Sequence, residues 1–410
     1  MKTRIVLYFL ILIPRFFYGA VAVGADVFFQ EGHDQLLQGK NVGLVTNHTG
    51  VNKDLALTSE LFKNRCFKLK ALFSPEHGLQ GLAYAAEKVQ SAQTALGIPI
   101  YSLHGETRRP TEEMLKGLDT IVYDIQDIGV RAYTYATTLY YVMEEAAKRN
   151  IEVIVLDRPN PMGGVVVDGP MLEESFRSYI GYINVPYCHG MTIGELARFF
   201  NEEYQLQCRL KVIPMKGWKR SMIFTQTGLN WIPPSPHVPE ADTPFFSAST
   251  GILGEMELVN IGIGYTLPFK VVGAPWINAD VFAATLNKQN LPGVTFAPFH
   301  YRPFYGSSKG IDCHGVLIVI NDPLKYKPLS VQFCLLGMIK SLYPKEFEKK
   351  LASITPEKRR LFCLASGGDK IFSILEKEKY ITWKLLEYDK DNRAAFLKKR
   401  QKYLRIEYEG

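Results

Sequence analysis

This chain has six cysteines, Cys66, Cys188, Cys208, Cys313, Cys334 and Cys363, but no CxxC pair. Most lie inside apolar segments, so buried thiols are expected rather than a disulfide framework or a cysteine-built metal site. Histidine is sparse at 8 residues, and neither an HxH nor an HExxH spacing occurs to hold a metal ion. No GxGxxG turn follows the first apolar strand, where Gly43-Leu44-Val45-Thr46-Asn47-His48 stands instead, so no dinucleotide is expected. A phosphate-binding lysine loop, an internal repeat and a low-complexity tract are also missing. Past the N-terminus, no apolar run is long enough to span a bilayer.

The one notable apolar run, residues 5–13, follows Lys2 and Arg4 and precedes the small residues Gly19, Ala20 and Ala22. That order reads as a signal peptide over residues 1–22, with Arg15 blurring the cleavage site. It predicts a periplasmic or secreted protein with no stable membrane insertion after processing. The net charge of +7 is concentrated near the other end, where residues 341–410 hold 17 Lys and Arg against 11 Asp and Glu. Solvated amphipathic helices account for such a tail. No nucleic-acid recognition motif accompanies the charge, so no nucleic-acid partner is expected.

A chain of 410 residues exceeds one ordinary core, which predicts two domains. The break falls at Ile232-Pro233-Pro234-Ser235-Pro236-His237-Val238-Pro239, which cannot form a regular helix or a central strand. Domains are therefore expected over residues 23–232 and 233–410. In the first, β-branched runs at residues 42–46, 69–73, 120–123 and 152–156 alternate with helical stretches at 55–62 and 138–149. A further helix begins at Thr192-Ile193-Gly194-Glu195, a capping-box spacing. Continuous apolar strands separated by helices predict an α/β fold with a parallel sheet covered on both faces. The second half offers a glycine-rich stretch at 251–273, a strand at 315–320 and helices beyond.

Each predicted strand of the first domain ends in polar residues. The first runs into Asn47-His48-Thr49-Gly50, the second into Ser74-Pro75-Glu76-His77-Gly78. The third runs into Asp124-Ile125-Gln126-Asp127, followed by Arg131, Tyr133 and Tyr135; the fourth into Asp157-Arg158-Pro159-Asn160. The C-terminal ends of parallel strands share one edge, where ligands bind, so these loops converge on one cleft. Carboxylic acids there suit glycoside hydrolysis, which needs one group to protonate the leaving oxygen and another to assist attack. Glu76, in a rigid turn directly after a strand, is the expected general acid. Asp124 and Asp127 are candidates for the second carboxylate, and either can equally serve as a cap. Arg131 and Arg158 suit an acidic substituent through bidentate hydrogen bonds, or pair with the nearby aspartates as structure. Asn47, His48, His77, Gln126, Tyr133, Asn160 and His189 complete the expected substrate contacts. A hydrolytic metal on His48 and His77 is the weaker alternative.

The motifs around residues 42–50, 73–78, 124–129 and 156–161, together with Val272-Gly273-Ala274-Pro275-Trp276, resemble the exo-β-N-acetylmuramidase family. His189-Gly190-Met191-Thr192 and Pro214-Met215-Lys216-Gly217-Trp218 fit the same pattern, and the likeness runs from about Val23 to the C-terminus. It implies a Rossmann-like domain joined to a smaller α/β domain, with the site in the cleft between them. It also implies a cofactor-free bacterial cell-wall enzyme acting on a muramyl-containing sugar or muropeptide, releasing terminal N-acetylmuramic acid from the non-reducing end of peptidoglycan fragments. Glu76 matches the family's catalytic glutamate. Two loops depart from the pattern: Leu82-Ala83-Tyr84-Ala85-Ala86 replaces an acidic small-residue loop, and residues 254–265 replace a motif rich in Thr, Asn and Arg. They bear on substrate preference, and a non-catalytic muropeptide-binding protein of the same fold is the alternative they motivate.

Overall fold

The structure, a computed structural model, describes residues 20–63, 65, 67–306 and 308–409. Most of the expected signal peptide, and Cys66, lie outside the described residues. Strands β1 (Asn41–Thr46), β2 (Lys68–Ser74), β3 (Ala92–Gln93), β4 (Pro99–Ser102), β5 (Thr120–Asp124), β6 (Glu152–Leu156) and β7 (Leu210–Ile213) form one sheet in the order β3-β4-β2-β1-β5-β6-β7. Only β3 pairs antiparallel; every other pairing in this sheet is parallel. Val42, Leu44 and Val45 on β1 and Ile121, Val122 and Tyr123 on β5 are fully buried, as residues covered by helices on both faces must be. The chain fills one flank through β2 and β4, then returns to the other through β5, β6 and β7. Strand order therefore reverses between β1 and β5, the place where open α/β sheets leave a ligand crevice. Thr46 lies abreast of Asp124 and Val45 abreast of Phe73, so the loops after β1, β2 and β5 leave the sheet side by side.

Helix Thr134–Ala147 starts earlier than the periodicity suggests, directly after the polar segment that follows β5. Helix Ile193–Glu203 carries the expected capping box: Thr192 Oγ1 accepts from the Glu195 amide, and the Glu195 carboxylate accepts from the Thr192 amide. Strands β4 and β7 escape a search for apolar runs because both are short and only partly buried.

The second sheet is antiparallel, β8 (Val271–Ala274), β9 (Val294–Tyr301) and β10 (Cys313–Ile320) in the order β8-β10-β9. Pro298 sits on the edge strand β9, where its missing N–H costs no ladder bond. Helices Thr243–Glu255, Ala279–Asn287 and Pro328–Leu342 surround it. The two bodies are tied by named groups. The Arg131 guanidinium donates to the carbonyls of Pro170, Val185, Ala365 and Ser366. Asp168 Oδ2 accepts the amides of Leu329 and Ser330, capping helix Pro328–Leu342 from the other body.

Both chain ends pack on the first body. Val21 is buried and Ala22 bridges to Lys216, so the packed structure begins inside the segment read as leader. At the other end, Phe396 and Tyr403 meet Phe199, and Tyr408 stands edge-on to Trp218 at 5.1 Å. These residues, placed by position in the second domain, belong to the cores of the first. No helix of the described residues is long and apolar enough to cross a membrane.

Candidate active site

Glu76 stands two residues past β2, at the edge where the strand-end loops meet, and is 8% exposed. Its two oxygens are held separately: Oε1 accepts the Ala86 amide at 2.8 Å, and Oε2 accepts the Thr134 hydroxyl at 2.7 Å. Thr134 opens the long helix after β5, so a carboxylate from one strand is positioned by the helix of another. His104 Nε2 lies 3.7 Å from Oε1. Burial holds the His104 imidazole below its ordinary range, against the opposing pull of Glu76.

His77 adopts a positive φ of 69°, a conformation that costs a residue other than glycine and recurs at functional sites. Its Nδ1 donates to the Ala83 carbonyl at 2.7 Å, which fixes the orientation of the ring. His48 Nε2 donates to the Pro233 carbonyl at 2.7 Å, and Tyr135 donates its hydroxyl to the Pro234 carbonyl at 2.6 Å. Asn47 in turn donates to the Tyr135 hydroxyl and accepts from the amide and hydroxyl of Thr49. Asn47, His48 and Tyr135 therefore clamp the proline-rich crossing onto the strand ends. Among the described residues, no group of three or more His, Cys, Asp or Glu is arranged to hold a metal ion.

Several of the expected contacts have partners inside the fold. Asp124 is fully buried and spent: Arg158 donates to Oδ1 at 2.6 Å and to Oδ2 at 2.9 Å, and Thr58 donates to Oδ2 at 2.5 Å. Both oxygens of Asp124 and the Nε and Nη2 of Arg158 are thus engaged inside the fold. Arg131 is spent on the four carbonyls that strap the two bodies together. Asn160 donates to the Met191 carbonyl, accepts the Met162 amide, and packs against Gly129, where a Cβ would lie 2.3 Å from its Oδ1. Gln126 donates to the carbonyls of Asp127 and Pro159. His189 is buried with Nδ1 accepting the Met191 amide, and burial pushes its imidazole down to about 3. All are buried polar groups with internal partners, which is what folding demands of them.

Asp127 differs from its neighbour. Oδ1 accepts the Gly129 amide at 2.7 Å, but Oδ2 is buried without a hydrogen-bond partner, and burial pushes the carboxyl up to about 7. Tyr133 lies within electrostatic reach of both Asp127 and Glu76, and its ring packs edge-on against Tyr135 at 4.8 Å. It lines a cavity of about 520 Å³ between the two bodies, walled also by Ala85, Ile128, Val130, His237, Glu255 and Asn260. Ala85 precedes the residue whose amide donates to Glu76, so one loop joins this cleft to the carboxyl.

Sequence reasoning missed His104, Thr134, Tyr179 and Glu255. His104 follows β4, and recognising that strand would have added its end to the convergent set. Tyr179 lies 3.4 Å from His104 Nδ1 and 3.3 Å from the Thr138 hydroxyl, and no local pattern marks it.

Residues 42–242 match the model described as exo-beta-N-acetylmuramidase NamZ, N-terminal, and residues 247–405 match its C-terminal counterpart. The peptidoglycan beta-N-acetylmuramidase NamZ of Bacillus subtilis (strain 168) is 42% identical over 330 residues, covering 80% of this chain and 79% of the relative. A crystal structure of a DUF1343-family protein from Bacteroides fragilis NCTC 9343 superposes with a TM-score of 0.87 at 40% identity, covering 94% of this chain and 98% of that one. A second protein of that family and organism gives a TM-score of 0.73 at 27% identity, covering 94% and 99%. With two family models together taking in most of its length, the chain belongs to the exo-β-N-acetylmuramidase NamZ family.

Proposed function

We propose that this protein is an exo-acting glycoside hydrolase that releases terminal N-acetylmuramic acid from the non-reducing end of peptidoglycan fragments, with Glu76 as its general acid. The observation that carries the assignment of Glu76 is its setting. It is a nearly buried carboxyl at a parallel-strand end, each oxygen separately oriented, and the loop that supplies the Ala86 amide also lines a cleft large enough for a sugar ring. A fixed carboxyl of this kind delivers a proton to the departing glycosidic oxygen without first reorganising. Asp127 is the second carboxyl in this reading, because Asp124 is neutralised by Arg158 while Asp127 keeps an oxygen uncommitted. Tyr133, which lines the cleft, and His77, next to Glu76 in the chain, are the sugar contacts in this reading. Secretion to the periplasm or beyond remains part of the proposal, resting on the basic and apolar N-terminal residues.

Glu76→Gln keeps the size and one acceptor of the side chain and removes the proton. Turnover of a chromogenic N-acetylmuramide is expected to fall on the order of a hundred- to ten-thousand-fold, with the melting temperature little changed. Near-normal turnover would remove Glu76 from the mechanism.

A further inference from the structure

N-acetylmuramic acid differs from N-acetylglucosamine by a lactyl ether that carries a carboxylate, so an enzyme selective for it needs a cation at the sugar. No lysine or arginine is among the residues that line the cleft, and its far wall carries Glu255 and Glu257. Arg158 and Arg131, which follow β6 and β5, are held inside the fold. Another guanidinium, that of Arg108, is linked to the catalytic carboxyl through two intervening side chains. Arg108 is exposed and has no acidic partner within ion-pair distance among the described residues. Its neighbour Arg109, by contrast, is locked onto Glu144.

Arg108 is not loose. Its guanidinium carbon sits 4.2 Å from the centroid of the Tyr179 ring, a cation–π contact that fixes the plane while leaving the N–H edge open. Tyr179 is 3.4 Å from His104 Nδ1, and His104 Nε2 is 3.7 Å from Glu76 Oε1. Three short contacts thus connect the free cation to the proton donor, and the charge of Arg108 is felt at both Tyr179 and His104. A planar guanidinium with a free edge is built for bidentate capture of a carboxylate.

Resting on the reading of this cleft as a muramidase site, we propose that Arg108 is its specificity-determining residue and binds the lactyl carboxylate of the terminal N-acetylmuramic acid. Tyr179 is the platform that orients it. The lactyl ether is carried by C3 of the ring whose C1 bond is cut and takes no part in the bond changes, so the contact is largely shared by ground and transition states. Its loss therefore raises KM and leaves kcat largely intact.

The test compares two chromogenic monosaccharides on the full chain: an N-acetylmuramide and its lactyl methyl ester, which has the same shape without the charge. Wild type is expected to prefer the acid. Arg108→Ala is expected to lose on the order of 10- to 100-fold in kcat/KM on the acid and less than about threefold on the ester, mainly through KM, so the preference collapses. Arg108→Lys is expected to recover part of the preference. Equal losses on both substrates, or no loss on either, would overturn the assignment of Arg108 while leaving the muramidase reading standing. Because neither substrate carries a stem peptide, an arginine that served a peptide carboxylate would also register as no loss. A wild type inert on both substrates would instead overturn the muramidase reading, and this proposal with it.

Discussion

Asp124 and Asp127 are three positions apart on one strand end and have opposite fates. Asp124 receives two nitrogens, Nε and Nη2, of a buried guanidinium, while Asp127 Oδ1 receives the Gly129 amide and the carboxyl is pushed up to about 7 by burial. Sequence spacing treats the pair as equals. Which arginine reaches which carboxylate is decided by the adjacency of β5 and β6, across 34 residues, and no local pattern encodes it. The Asp127 assignment has a measurable consequence. Its folded-state pKa lies above the ordinary value of 3.8, so the folded chain binds this proton more tightly than the unfolded chain does. Stability from this group is fully present below about pH 4 and is lost as pH rises through about 7. Asp127→Asn is expected to flatten that part of the profile and to be more stable than wild type at pH 8 by a few kcal/mol, with the advantage shrinking toward pH 4. Denaturant unfolding of both proteins at the two pH values checks this; parallel profiles would refute it.

At the scale of elements, the loop after β2 carries most of the site. It turns through His77 and Gly78, passes Gly81, and returns the Ala86 amide to Glu76. Gly81 has φ of 73°, and a Cβ there would lie 2.1 Å from the His48 ring, which Pro233 holds in place. Gly81→Ala is expected to displace the loop, costing tenfold or more in kcat, since sub-ångström placement of a proton donor matters that much. The global melting temperature should fall far less than that loss suggests, because the loop lies at the surface. Calorimetry beside the chromogenic assay separates the two effects. The loop's position was legible because Glu76 directly follows an apolar run. The contribution of β4 was not, since a four-residue strand beginning at Pro99 gives no periodic signal. His104 and the platform at Tyr179 were hidden with it.

At the scale of the whole molecule, the α/β architecture with its largely parallel sheet was readable from alternating strands and helices. The return of the C-terminus was not, because it depends on partners far along the chain. Tyr408 donates its hydroxyl to Asp157 at 2.7 Å, accepts the Met215 amide at 2.9 Å, and packs on Trp218. Asp157 is itself a buried carboxyl at the end of β6 that burial pushes up to about 6. Tyr408→Ala is expected to destabilise the first body by about 3–5 kcal/mol, although the residue is third from the end of the chain. A loss below about 1 kcal/mol in denaturant unfolding would show that the tail is an appendage.

The central claim joins these scales: a sheet edge, a loop and one carboxyl combine to release a single sugar from a chain end. The most direct measurement is mass-spectrometric product analysis on a defined disaccharide with N-acetylmuramic acid at its non-reducing end, using wild type and Glu76→Gln at equal concentration. The account predicts free N-acetylmuramic acid from wild type and none above background from the variant over the same interval. Release by the variant at a rate near that of wild type, or no release by wild type, would contradict it.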